Sequence, residues 1–459
     1  MRPRVVVAGA SGFVGRVLVS RLAERFDVVA LSRSPRQSTD GVRWVKADLF
    51  SLLDCERAME GADRVVYLVH SMQPSARLSQ GRFADMDLIL ADNVARAAKG
   101  TKQILYLGGL IPEGEQLSEH LRSRLEVERA LAAHGTPVTT LRAGLVIGPG
   151  GSSFRILRNL VERLPVMICP EWTESFTQPI DLDTLLDVLI ASLSDPKGEG
   201  QTYDVGGPER CSYRSLISRT ATVLGRKRLL IPVPVLAPPL SAWWVTLVTG
   251  SSRALVTPLV ESLRHTMVVG DRRLQERLAL PGQPIDAALS QAVSEPPCAA
   301  PPRLAAPFVG NTVRSVQRLT LPAGWDATRV TREYMEWLPR GLWPLITVSV
   351  EGERCTFCLR GLRAPLLVLR YAPERSTPDR TVLYIQGGLL AQNDPGRARL
   401  EFRVVLGGDA ILAAIHDFVP QLPWFIYNLT QAPAHLWVMF AFGRHLKRLR
   451  RTKALPSSS

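Results

Sequence analysis

Short apolar runs and amphipathic stretches take turns along the first part of the chain. Val5, Val6 and Val7 read as a buried strand, and the run from Arg16 to Arg25 repeats its apolar positions at helical spacing. Further strands are predicted at 27–31, 42–45, 62–70, 103–107 and 137–141, with helices at 83–99 and 118–134. Strands alternating with helices of these lengths specify an α/β fold with a doubly wound parallel sheet. After residue 308 the pattern changes. Strand-like stretches at 343–350, 366–371, 381–387 and 397–406 precede one amphipathic helix at 434–450, which predicts a C-terminal α+β helix-grip domain.

Between these halves, Ser294 to Pro302 is rich in proline and alanine and reads as an extended spacer. The expected organisation is a nucleotide-type domain at 1–293, a linker at 294–307, the second domain at 308–450 and a tail at 451–459. The stretch 229–263 is apolar but interrupted by Gly250, Arg253 and Pro258, so it lacks the run of about 20 apolar residues that a membrane-crossing helix needs. Trp243 and Trp244 in that stretch belong to a core, an apolar pocket or a membrane interface.

The turn after the first strand carries the chemistry. Gly9-Ala10-Ser11-Gly12-Phe13-Val14-Gly15 places glycines where a tight turn, close approach of backbone to a pyrophosphate, and close packing of helix on strand each require one. About 20 residues further on, the second strand ends in Ser32-Arg33-Ser34-Pro35-Arg36, without the carboxylate that would bind the ribose hydroxyls of NAD and repel a 2′-phosphate. Arg33, helped by Arg36, offers a charged fork for that phosphate, so NADP(H) is the expected cofactor, with NAD(H) as the alternative. Asp48 and Leu49, ending the third strand, fall near the adenine. Val69 and His70, ending the fourth, face the cofactor cleft.

These motifs, with Leu141-Arg142-Ala143-Gly144, Ile147-Gly148-Pro149 and Tyr203-Asp204-Val205-Gly206-Gly207-Pro208, resemble the short-chain dehydrogenase/reductase superfamily in its atypical, extended-like branch, which includes NmrA-like and complex I subunit-like members. The resemblance covers about residues 3 to 290 and implies a Rossmann domain with a small substrate lobe. It also implies a Ser, a Tyr and a Lys four residues after the Tyr, which this chain lacks. Gly108-Gly109 stand where the Ser belongs, and the helical pair closest to the pattern is His120 and Arg124. His120 can act as a proton donor or as a contact to cofactor or ligand, and Arg124, which cannot deprotonate, can hold the nicotinamide ribose. The segment from Phe418 to Phe440, with Trp424, Tyr427, Pro433 and His435, is similar to a START-like domain, a fold that usually accepts an apolar ligand between sheet and helix.

Composition narrows the picture. Hydrophobic residues make up 46% of the 459, which excludes wholesale disorder. Six dispersed cysteines point to reduced thiols and a cytoplasmic setting; Cys355 and Cys358 have no second pair or nearby histidines to complete a metal site. The net charge of +14 is uneven: no acidic residue follows Asp417, whereas Arg444, Lys447, Arg448, Arg450, Arg451 and Lys453 crowd the C-terminus and make nearly half of the excess. No base-reading motif accompanies them, so specific nucleic-acid binding is not expected. Weak, salt-dependent contact with anionic membrane is, through the tail after Gly443, with Leu436, Trp437, Met439, Phe440 and Phe442 buried in the domain. The reading at this level is an NADPH-linked oxidoreductase for an apolar carbonyl, enone or quinone-like substrate. Its rivals are a non-catalytic NADP-binding redox sensor or assembly factor, and a lipid-handling protein acting through the C-terminal domain.

Overall fold

The computed structural model describes residues 2–39, 41–70, 78–112, 114, 116–233, 246, 261–299, 312–341, 345–362, 364–392 and 396–454. Trp243 and Trp244 lie outside them. The chain forms two compact units, residues 1–72 with 90–307, and residues 73–89 with 308–459. Among the described residues no helix is long and apolar enough to cross a membrane.

The first unit is built on seven parallel strands: β1 (Arg4–Ala8), β2 (Asp27–Ser32), β3 (Val42–Lys46), β4 (Arg64–Tyr67), β6 (Gln103–Gly109), β7 (Val138–Ala143) and β12 (Thr202–Val205). Their order is β12-β7-β6-β4-β1-β2-β3, so the winding reverses between β1 and β4. Val5, Val6, Val7, Val28, Val29, Val65, Val66, Ile104 and Leu105 are all inaccessible, as residues of a sheet covered on both faces must be. The helices α1 (Phe13–Leu22), α2 (Leu52–Met59), α3 (Phe83–Ala97), α4 (Glu119–Leu131) and α6 (Leu182–Ser192) follow the strands; the boundary between units falls inside α3. A lobe beyond β7 contains α5 (Ser152–Arg163), α7 (Tyr213–Val223), α8 (Arg273–Leu278) and α9 (Ile285–Ser294). Three small ladders brace it: β8 (Val146–Ile147) with β11 (Ile180–Asp181), β9 (Val166–Pro170) with β14 (Leu229–Val233), and β10 (Phe176–Thr177) with β13 (Cys211–Ser212).

The second unit starts with β5 (Leu78–Gln80), which pairs in parallel with β15 (Val313–Thr320). The helix α10 (Ala327–Gly341) leads into β16 (Ile346–Glu351), β17 (Arg354–Leu359), β18 (Pro365–Tyr371), β19 (Arg380–Gly387), β20 (Arg399–Val405) and β21 (Ala410–Phe418), an antiparallel series that closes back on β15. Then come α11 (Trp424–Leu429) and α12 (Gln431–Ala454). Met439, Phe442 and Leu446 of α12 are buried in one cluster with Tyr334 of α10 and Phe402 of β20, the Phe442 ring lying 5.0 Å from that of Tyr334. A sheet gripping a long final helix is the arrangement predicted.

One detail differs from the sequence expectation. Leu436, Trp437 and Phe440 are exposed, because α12 turns only its Met439, Phe442 and Leu446 side to the sheet. The alternating charges of β20 do not face water. Arg399, Glu401 and Arg403 are buried with Arg380, and all three guanidinium groups bond to the Glu401 carboxylate at 2.5–2.9 Å. Burial alone would raise the Glu401 carboxyl, but Arg380, Arg403 and Arg399 hold it well below the usual range. Cys355 is a core residue of β17 whose thiol burial pushes up.

Candidate cofactor and active site

The C-terminal ends of β1, β2, β3 and β4 are neighbours in the sheet, so the predicted cofactor residues line one edge. Gly9 follows β1 at φ +91°, in the left-handed region, and its carbonyl accepts a 2.9 Å hydrogen bond from the Gly12 N–H. A Cβ on Gly15 would lie 2.3 Å from the Gly9 oxygen, so only glycine lets α1 start this close to the turn. No side chain caps α1 at Gly12. The amides of its first turn, at Phe13 and Val14, therefore lie beneath an open loop with Ser11 exposed upon it, a cradle suited to a pyrophosphate.

At the end of β2, Ser32 is buried and its hydroxyl accepts a bond from Arg36 Nε at 3.2 Å, while the Arg36 guanidinium lies 5.4 Å from the centre of the Trp44 ring. Arg36 is thus held in place and Arg33 beside it is exposed. Asp48 ends the segment after β3, with its carboxylate accepting from the Phe50 N–H at 3.1 Å. The neighbouring Leu49 carbonyl accepts from Asn93 Nδ2 at 2.8 Å. The glycine cradle, the open helix start and the cationic end of β2 fit a dinucleotide with a 2′-phosphate.

The candidate catalytic residues also converge. Past β4, Val69 and His70 are half-buried, and His70 Nδ1 lies 2.6 Å from Arg124 Nη2. A guanidinium only donates, so Nδ1 accepts and the His70 proton resides on Nε2. His120, one turn before Arg124 on α4, stacks obliquely on His70 with ring centres 5.2 Å apart. Arg124 is itself buried, and its carbonyl accepts a 3.3 Å bond from the Tyr106 hydroxyl. Ser118 caps α4 and so fixes where His120 enters the site.

Beside this group lies a cavity of 220 Å³ whose wall includes Gly109, His120, Gly144, Leu157, Trp172 and Tyr213. Its lining is mostly apolar. Burial pushes the Tyr213 hydroxyl up to about 12. A small substrate lobe was expected from the sequence, but nothing there singled out Trp172 or Tyr213. They reach the cavity from separate segments, and no spacing within the chain links them.

A family model described as NAD(P)H-binding matches residues 9–158. Over 145 residues the chain is 32% identical to the auxiliary protein GraX of Staphylococcus aureus, an alignment covering 30% of this chain and 44% of GraX. The chain therefore spans under half the length of that relative. It is 27% identical over 232 residues to the (4-alkanoyl-5-oxo-2,5-dihydrofuran-3-yl)methyl phosphate reductase of Streptomyces griseus, covering 48% of this chain and 74% of the reductase. Among solved structures, the NADPH-dependent quinone oxidoreductase QOR2 of Escherichia coli, complexed with NADPH, superposes with a TM-score of 0.50 at 16% identity, over 63% of this chain and all of that one (100%). That likeness bears on the fold.

Proposed function

We propose that this chain, whose N-terminal unit is an NAD(P)H-binding Rossmann domain of a reductase-like family, is an NADPH-linked oxidoreductase of the atypical short-chain branch. Its substrate in this reading is an apolar carbonyl, enone or quinone-like molecule. The observation that carries the proposal is the apolar cavity that begins at Gly109 and His120, beyond the C-terminal ends of β6 and β7. Ligands of doubly wound sheets bind beyond those strand ends, and a largely apolar pocket with a few convergent polar groups is the usual form of a substrate site. The similarity to a Streptomyces reductase supports the same class of chemistry.

Each residue then has a role. Gly9, Ser11, Gly12, Phe13, Val14 and Gly15 hold the pyrophosphate through backbone amides. Arg33 and Arg36 grip the 2′-phosphate, Asp48 and Leu49 border the adenine, and Val69 and His70 flank the nicotinamide end. When bound, the dinucleotide supplies the hydride. The chain orients the substrate and provides a proton from a ring nitrogen of His120, which takes the place of the missing tyrosine. Arg124 positions His70, and with it His120, but has no proton to give. Without the Ser, Tyr and Lys set, turnover is slow.

The rival reading, a non-catalytic NADP-binding sensor or assembly factor, is favoured by the lack of that set and by the similarity to an auxiliary protein. Screening purified protein with NADPH against carbonyl and quinone compounds decides between them: consumption of NADPH supports the enzyme, and tight binding without consumption supports the rival. The helix-grip unit, read as START-like, is the ligand-holding module in the lipid-handling alternative.

A further inference from the structure

The side of α12 turned away from its sheet carries two kinds of residue in succession. Trp437 and Phe440 come first, 57% and 66% exposed, and Arg444, Lys447 and Arg451 follow, exposed as well. The spacing of three and four residues puts all five on one stripe of the helix. Just ahead of it, α11 adds Phe425 and Leu429, which are 69% and 79% exposed. The core does not account for these side chains, since Met439, Phe442 and Leu446 already fill the inner side of α12. Large apolar groups clustered in the open mark a binding surface.

We propose that this stripe docks on an anionic lipid bilayer. Phe425, Leu429, Trp437 and Phe440 enter the boundary between headgroups and acyl chains, and Arg444, Lys447 and Arg451 meet lipid phosphates. The order of residues fits a membrane interface, where tryptophan is favoured and cationic side chains reach the headgroups. The charge fits as well. No acidic residue follows Asp417, so the stripe offers nothing to a cationic partner, and a second copy would bring a like-charged row against it. Its Arg444 guanidinium lies 6.0 Å from the Phe440 ring centre, which joins the apolar and cationic parts into one surface.

The test is flotation of the full chain with vesicles of phosphatidylcholine alone or with about 30% phosphatidylglycerol, a composition that gives the surface a negative potential. Binding is expected to the anionic vesicles and not to the neutral ones. The variant Arg444→Gln/Lys447→Gln/Arg451→Gln should bind on the order of 100-fold more weakly. Trp437→Ser/Phe440→Ser should bind roughly 10-fold more weakly or worse. Because a double variant can misfold, tryptophan quenching by brominated lipid is compared in the wild type and in Trp437→Phe, where part of the quenching should disappear. Three outcomes would overturn the proposal: no flotation with anionic vesicles, flotation and quenching unchanged in these variants, or a wild-type dimer that Trp437→Ser/Phe440→Ser converts to monomer.

Discussion

Replacing Gly15 with alanine probes the cofactor cradle at its tightest point. The new Cβ would stand 2.3 Å from the Gly9 oxygen and 2.8 Å from Ala10 Cα, where ordinary contact begins at 3.4 Å. Both neighbours are backbone of the phosphate turn, so no side chain can swing aside, and the start of α1 must move outward by about 1 Å. Overpacking of this kind costs about 1–3 kcal/mol, and the helix preference of alanine over glycine returns at most about 1 kcal/mol. The displaced amides lose hydrogen bonds to a charged phosphate that contribute about 1.5–3 kcal/mol each, so NADPH affinity should fall at least tenfold. Fluorescence titration with NADPH and a thermal melt measure the two effects. Gly109→Ala is the control, since its Cβ would meet nothing nearer than Arg124 Cγ at 3.8 Å. Gly15→Ala with wild-type Kd and Tm, or an equal loss in Gly109→Ala, would refute the reasoning.

Arg33→Asp combined with Arg36→Ala should abolish a preference for NADPH over NADH in competitive titration; a wild type that prefers NADH would show the β2 end has been misread. His120→Ala should lower kcat by about 100-fold while leaving NADPH affinity unchanged, and unaltered turnover would exclude it as the proton donor. Glu401→Gln leaves three buried guanidinium groups without their shared carboxylate and should cost about 3–5 kcal/mol in urea unfolding. The second unit should also be acid-sensitive. Burial brings His435 down to about 4, and burial with the Arg399 charge holds His416 well below its ordinary 6.5. Since the unfolded chain takes up those protons first, stability is full above 6.5 and falls as the pH drops below it; protonation of Glu401 extends the loss below 4.5. A Tm that rises on acidification from neutral pH would contradict this sign.

The Rossmann half was legible because its signals are local. The glycine spacing is set by contacts within seven residues, and the apolar strand runs follow from burial on both faces. Even the meeting of His70 with Arg124 follows from strand ends opening on one crevice. The cavity was less legible, since Trp172 and Tyr213 come from distant segments that share no period. In the second unit, counting apolar residues on α12 suggested that all were buried, but their angular positions divide them between two sides. The burial of Arg399, Glu401 and Arg403 had no signal in the strand pattern, because mutual ion pairing is what lets that charged face be buried. The pairing of Leu78 with Val313 joins residues too far apart in sequence for any local pattern to announce.

The cavity beside His120 can be filled without touching the glycine cradle, through Ile156 on its wall. NADPH consumption with a panel of quinones, enones and aldehydes, compared in the wild type and Ile156→Trp, therefore tests the proposed function most directly. The account predicts turnover with at least one apolar compound, lost in Ile156→Trp while NADPH binds both proteins equally. A panel that leaves bound NADPH unconsumed, or turnover that survives the filled cavity, would contradict it.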